Sequence, residues 1–127
     1  MPALRTPLKK VRGLGSAKGG TDHFVLQRVT GAANLILLAF LVYAALHLAG
    51  APRAEVKAFF SMPWAAIAGI LFAFSVSIHM RTGMQVIIED YVHGGSRVLI
   101  LLLFNTFFSL TVGAAVFLAV TKLYLGV

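Results

Sequence analysis

The chain is predicted to be an all-α membrane protein with three transmembrane helices, and two observations carry that expectation. The first is composition: of 127 residues, 59% are hydrophobic and 12% charged, with a mean hydropathy of +0.89. A soluble core of this size cannot hide so much apolar surface, so lipid is the expected solvent. The second is arrangement. Apolar runs extend from about Val29 to Ala49, Met62 to Ile88 and Val98 to Leu123, each matching or exceeding the roughly 20 residues that cross ~30 Å of hydrocarbon.

Each element follows from its neighbours in the chain. Residues 1–28 form a basic arm holding Arg5, Lys9, Lys10, Arg12, Lys18 and Arg28, and residues 29–127 form a single transmembrane domain. The connections 50–61 and 89–97 hold Pro52, Arg53, Glu55, Lys57, Asp90, His93 and Gly94-Gly95, which is turn and interface chemistry. Both are short, so consecutive spans are expected to be antiparallel neighbours. The basic arm and Arg97 lie on one side, and by the positive-inside rule that side is cytoplasmic. The first run is longer than a signal-peptide core and two more follow, so the arm reads as retained. Its Pro2, Pro7, Gly13, Gly15, Gly19 and Gly20 would break a transit helix and make it flexible. The expected location is the bacterial inner membrane, ahead of the mitochondrial one.

Composition also excludes functions. The net charge of +7 does not describe a nucleic-acid surface, because the basic residues are neither gathered on one helix nor interleaved with stacking aromatics. The chain has no cysteine, which removes disulfides, thiolate metal sites and iron–sulfur ligation. Any redox centre must use histidine or sit on a partner.

His79 is placed deep in the second span, where an ionisable, metal-capable ring is costly and marks a functional site. At 3.6 residues per turn, Phe72, Ser75, Gly83 and Asp90 fall within about 40° of it. Small side chains a turn on either side let a flat group approach, and a neutral imidazole nitrogen can bind iron. The same pattern equally describes close helix packing, with His79 hydrogen-bonded across the interface. Asp90 lies about 16 Å further along the axis, so Asp90 and Tyr91 reach the membrane boundary. There they serve either as interfacial residues or as a site for a small carbonyl ligand, with Tyr91 donating and Asp90 orienting or relaying protons.

The remaining polar residues carry less. The third span has Asn105, Thr106, Ser109, Thr111 and Gly113 and no ionisable group between Val98 and Thr121, so it reads as a packing scaffold. Phe59, Phe60, Trp64 and Tyr124 are expected in an aromatic belt at the outer face. His23 beside Asp22 reads as a helix-entrance residue, His47 lies near the far end of the first span, and His93 reads as a loop residue.

Two strings resemble a known family. H-M-R-T-G-M-Q-V-I-I-E-D-Y-V, from His79 to Val92, is similar to the second helix of the small hydrophobic anchor subunit of succinate dehydrogenase, respiratory complex II. G-T-D-H-F-V-L-Q-R-V-T-G, Gly20 to Gly31, resembles that subunit's approach to its first helix. With the three-span layout, the resemblance covers nearly the whole chain from Gly13. It implies a bundle shared with a companion anchor, the cytochrome b subunit, and association with iron–sulfur and flavoprotein subunits. It further implies that His79 is one axial ligand of a b-type haem whose second histidine is the companion's, with Ser75 and Gly83 packing on the haem. Tyr91 would hydrogen-bond ubiquinone and Asp90 would shape that site. Arg28, opening the first span, is a candidate for a haem propionate or the quinone mouth, and equally fits an ordinary positive-inside residue. Arg81 ranks below it, because it projects about 200° around the helix from His79.

The leading expectation is therefore a non-catalytic anchor subunit of succinate:ubiquinone oxidoreductase, serving electron transport and the tricarboxylic acid cycle. Two other readings use the same residues. One is a small transporter or proton-path subunit built on His79, Arg81 and Asp90; the other is a structural helix-bundle adaptor.

Overall fold

The computed structural model describes residues 20–126 as four helices, with no strand among the described residues. The arm residues Arg5, Lys9, Lys10, Arg12 and Lys18 lie outside the described residues. Helix α1 spans Gly20–His47, α2 Arg53–Phe60, α3 Pro63–Tyr91 and α4 Gly95–Leu125. Helices α1, α3 and α4 have 28, 29 and 31 residues, which at 1.5 Å per residue is about 42–47 Å each, enough to cross the hydrocarbon and enter both headgroup layers. All three have the length and hydropathy of membrane spans.

Several boundaries differ from expectation: α3 runs on past Ile88 to Tyr91, and α4 opens at Gly95, ahead of Val98. Helix α1 begins well before the apolar run opens at Val29, because nothing between Thr21 and Thr30 breaks a helix. The segment from Gly50 to Ser61, expected as turn and interface residues, contains the eight-residue α2. Pro52 precedes it in extended conformation, and Glu55 in its first turn and Lys57 in its last complement the helix dipole. Its Val56, Phe59 and Phe60 share one side, as spacings of three and four require. The chain turns into and out of these helices at Gly50 (φ 77) and Gly94 (φ 109), conformations open to glycine at no steric cost.

Helix α3 is the middle of a row. It packs on α1 along one side and on α4 along another, while the backbones of α1 and α4 do not approach each other. The contact with α4 is close because small residues line it: Ala66 and Ala73 of α3 are 3% and 1% exposed. Gly69 abuts Val120, where an added Cβ would stand 3.1 Å from a methyl group. This is the small-residue packing that membrane helices use where no hydrophobic drive separates them from lipid tails. Asn105 and Ser109 of α4 are buried in the same interface and Gly113 lies against Ser77, whereas Thr111 is exposed.

Phe59 departs from the expected belt. It is 5% exposed and its ring is surrounded by Phe60, Trp64, His47, Phe40 and Tyr43 at centroid distances of 5.3–6.4 Å. Helix α2 folds back so that this ring plugs the gap between α1 and the start of α3. Trp64 and Tyr124 remain half exposed. Lys57 donates to the carbonyl of Gly126, tying α2 to the end of α4.

Candidate functional site

His79 lies on the side of α3 that meets α1, and its ring is half-buried there. Across from it stand Gln27, Thr30 and Gly31, which share one face of α1 by their spacing. Thr30 is 6% exposed. Its Oγ1 lies 3.1 Å from His79 Nδ1 and 2.7 Å from the carbonyl oxygen of Leu26. The Thr30 hydroxyl and the imidazole are thus in hydrogen-bond contact, with the donor set by the tautomer of the ring. The Gln27 side chain lies against the other ring nitrogen, its Nε2 3.5 Å from His79 Nε2, at the limit of hydrogen-bond length. The Gln27 carbonyl is in turn held by the hydroxyl of Thr82, which is buried in the same interface.

Ser75 and Gly83 flank His79 by one turn each, and both receive α1. Ser75 Oγ donates to the Thr30 carbonyl at 3.3 Å, and a Cβ on Gly83 would stand 3.0 Å from Gln27 Nε2. The space expected here for a flat group is taken by α1, because small residues admit whichever neighbour is nearest. Gly31 completes the contact, with only 3.3 Å between its would-be Cβ and His79 Cε1.

Asp90 and Tyr91 close the last turn of α3 and are exposed, Tyr91 by 79%. The pairings of Gln27 with Gly83 and of Thr30 with Ser75 fix α1 and α3 antiparallel. Asp22 and His23 thus come to the same end of the molecule as Asp90 and Tyr91. Arg28 is exposed beside Gln27, its guanidinium 5.1 Å from the Phe24 ring centroid. Arg81 projects elsewhere: its Nε donates to Thr106 Oγ1 at 3.4 Å, and Asn105 Nδ2 donates to the Arg81 carbonyl at 2.9 Å. His79 and Arg81 face different helices and share no cluster. His47 stacks on Tyr43 at the opposite end, and His93 is exposed beyond α3. Among the described residues no group of three or more His, Cys, Asp or Glu side chains could hold a metal.

An apolar groove of about 440 Å³ opens between α3 and α4, walled by Met80, Met84, Ile88, Leu101, Phe104 and Phe108. On the helix Tyr91 lies within about 20° of Met80 and Met84, so the groove runs toward the Tyr91 end.

The partners of His79 were not among the expected site residues. Their signal was present in the string Q-R-V-T-G, where Gln27, Thr30 and Gly31 place two polar groups and a glycine on one face at the start of an apolar span.

A protein family described as succinate dehydrogenase/fumarate reductase transmembrane subunit matches residues 2–121. The chain belongs to this family. It is 31% identical over 121 residues to the succinate dehydrogenase hydrophobic membrane anchor subunit of Paracoccus denitrificans, a match covering 95% of this chain and 93% of that relative. It is 29% identical over 89 residues to the subunit of the same name from Rickettsia bellii, covering 70% of this chain and 71% of the relative. No solved structure matches it. The succinate dehydrogenase resemblance read from the His79–Val92 and Gly20–Gly31 strings is thereby established. Three membrane-length helices and bacterial relatives named as membrane anchors make this transmembrane subunit a multi-pass bacterial membrane protein.

Proposed function

We propose that the chain anchors a succinate:ubiquinone oxidoreductase in the bacterial inner membrane and supplies half of a b-type haem site and part of a ubiquinone site. Its partners in that reading are a companion cytochrome b anchor, an iron–sulfur subunit and a flavoprotein, with the basic end of the chain, expected as an arm over residues 1–28 and continuous with α1 from Gly20, on the cytoplasmic side. The observation that carries this reading is the family membership of the chain together with the place of His79, an imidazole in the middle of a membrane-length helix with Asp90 and Tyr91 at that helix's end.

In that reading His79 would hold the haem from this chain, as the family resemblance implies, and a histidine of the companion anchor would hold it from the other side; the group would then supply one-electron transfer without an open site for oxygen. Room for it would require α1 to draw back, with the Gln27 amide leaving His79 Nε2. Ser75 and Gly83, small on either side of the ring, would then pack on the haem. Arg28, at the same end of α1 as the boundary, is placed to pair with a propionate or with the quinone mouth.

Tyr91 and Asp90 stand about 16 Å from His79 along the axis, at the end of α3 and open to partners. In this reading the Tyr91 hydroxyl donates to a quinone carbonyl and Asp90 orients that hydroxyl or passes a proton. The groove toward Met80 and Met84 gives an apolar path for an isoprenoid tail.

A second reading rests on the same contacts: His79 bonded to Thr30 and Gln27 is a helix-pairing residue and binds no iron. One experiment separates the two. The complex is purified through its partner subunits, reduced with dithionite and scanned for a b-type spectrum, in the wild type and in His79→Ala. Loss or change of the spectrum in the variant supports ligation; an unchanged spectrum sinks it. Tyr91→Phe is expected to impair quinone reduction while sparing haem content and succinate oxidation by an artificial acceptor. Equal loss of both activities would make Tyr91 an assembly residue.

A further inference from the structure

Arg81 is exposed at membrane depth. It stands ten residues before the end of α3 at Tyr91, as Asn105 stands ten residues after the start of α4 at Gly95. The Asn105 amide donates to the Arg81 carbonyl at 2.9 Å, so the two lie level, about 15 Å from that end of the molecule. With α3, about 43 Å long, centred on ~30 Å of hydrocarbon, the Arg81 backbone is roughly 8 Å inside the apolar core.

The guanidinium does not rise from there to the headgroups. Its Nε donates to Thr106 Oγ1 at 3.4 Å, one residue further from the boundary than Asn105. The Cα–Cβ bond of a helical residue leans toward the helix N-terminus, here away from the Tyr91 end. A guanidinium is a fork of N–H donors, and among the described residues this long contact to a neutral hydroxyl is the one it makes. No carboxylate of the chain completes it. Of the four acids, Asp22 is in the first turn of α1, Glu55 is on α2 at the opposite end, and Glu89 and Asp90 are in the last turn of α3. Glu89 stands about 12 Å nearer the boundary and accepts from Gln85 at 2.8 Å. A second copy inserted the same way would bring no acid to this depth either.

An ionised side chain at such depth is kept where it faces protein or pairs with an opposite charge. We infer that Arg81 marks an intersubunit interface: it pairs, inside the bilayer, with a carboxylate on a transmembrane helix of another chain of the complex. The planar fork suits a bidentate carboxylate partner, and the Thr106 contact engages Nε while leaving the two terminal nitrogens for it. Phe74 and Ile78 are exposed within about 60° of Arg81 around α3, an apolar strip on which the partner helix rests. The inference rests on the reading that a companion anchor shares the membrane with this chain.

The test uses the complex purified through its partner subunits. Arg81→Leu separates the two environments by sign: an arginine in lipid is relieved by leucine, whereas a paired one leaves an acid buried and alone. Arg81→Leu is expected to release the chain from its partners in detergent roughly tenfold more readily than wild type. Thr106→Val, which removes only the contact within the chain, is expected to leave retention unchanged. The partner helix is found with Ile78→Cys, unique in a chain without cysteine, carrying a benzophenone maleimide. Light is expected to join it to a transmembrane segment of another chain that holds an Asp or Glu. Arg81→Glu combined with replacement of that acid by Arg is then expected to restore the retention lost in Arg81→Glu alone. Retention in Arg81→Leu at or above wild type overturns the inference, as does a loss in Thr106→Val equal to that in Arg81→Leu. Cross-links only to lipid or to a second copy, a cross-linked segment without an acid, or a charge exchange that restores nothing also overturn it. Absence of any other membrane-spanning chain from the wild-type complex defeats the companion-anchor reading, and the inference with it, and is seen on a gel before any variant is made.

Discussion

Gly31 and the imidazole of His79 touch across the α1–α3 interface, with 3.3 Å between the ring's Cε1 and the position of a Cβ on Gly31. A methyl group there displaces the ring by a few tenths of an ångström, and a branched side chain cannot be accommodated without parting the helices. If His79 holds a haem as proposed, Gly31→Ala is expected to keep it with a shifted spectrum in the complex. Gly31→Val is expected to lose most of it. A native spectrum in Gly31→Val would show that His79 has another resting place.

On the opposite side of α3, Gly113 of α4 lies against Ser77. An added Cβ would meet Ser77 Oγ and stand 3.0 Å from Ser77 Cβ, while the Ser77 hydroxyl is committed to the Ala73 carbonyl at 2.7 Å. Overpacking of this kind costs about 1–3 kcal/mol. Gly113→Ala should lower the thermal stability of the chain in detergent, and Ser77→Ala in the same chain should recover much of that loss. If the two substitutions simply add, the interface is looser than described.

Phe59 offers a test of α2. Its ring stands 5.4 Å from that of Trp64, the single tryptophan of the chain. Phe59→Ala removes the centre of the aromatic cluster at a cost on the order of 3–5 kcal/mol for a buried ring. Helix α2 should then undock and the Trp64 emission shift to the red as water enters. Emission identical to wild type would place α2's anchorage elsewhere, at the Lys57–Gly126 contact.

Much of this architecture was legible in the residues alone, because the demand that lipid places on a backbone is simple. Three apolar runs of spanning length with polar connections allow little else, and the family strings fell on α1 and α3. Helix α2 was hidden for the opposite reason: in Pro52, Arg53, Glu55 and Lys57 the signals of a turn outnumber the three apolar residues whose spacing makes a helix. His79 was legible as a costly residue, but its partners were not. Period and hydropathy say which face of α3 bears the ring; they do not say which helix will occupy that face. Gln27 and Thr30 could be joined to it only once the antiparallel register of α1 was known, and the same register filled the room beside Ser75 and Gly83.

The row arrangement of α1, α3 and α4 gives the chain two internal circuits. The backbones of the outer members do not approach each other, so a change in α4 reaches α1 either through α3 or, at the far end, through α2, whose Lys57 meets Gly126 and whose Phe59 packs on Phe40 and His47. Sites more than about 7–10 Å apart without shared partners contribute independently, so substitutions at Gly113 and at Gly31 should sum within this chain. A departure from that sum that is present in the assembled complex and absent from the isolated chain then measures a further route between α1 and α4, one that runs through another subunit.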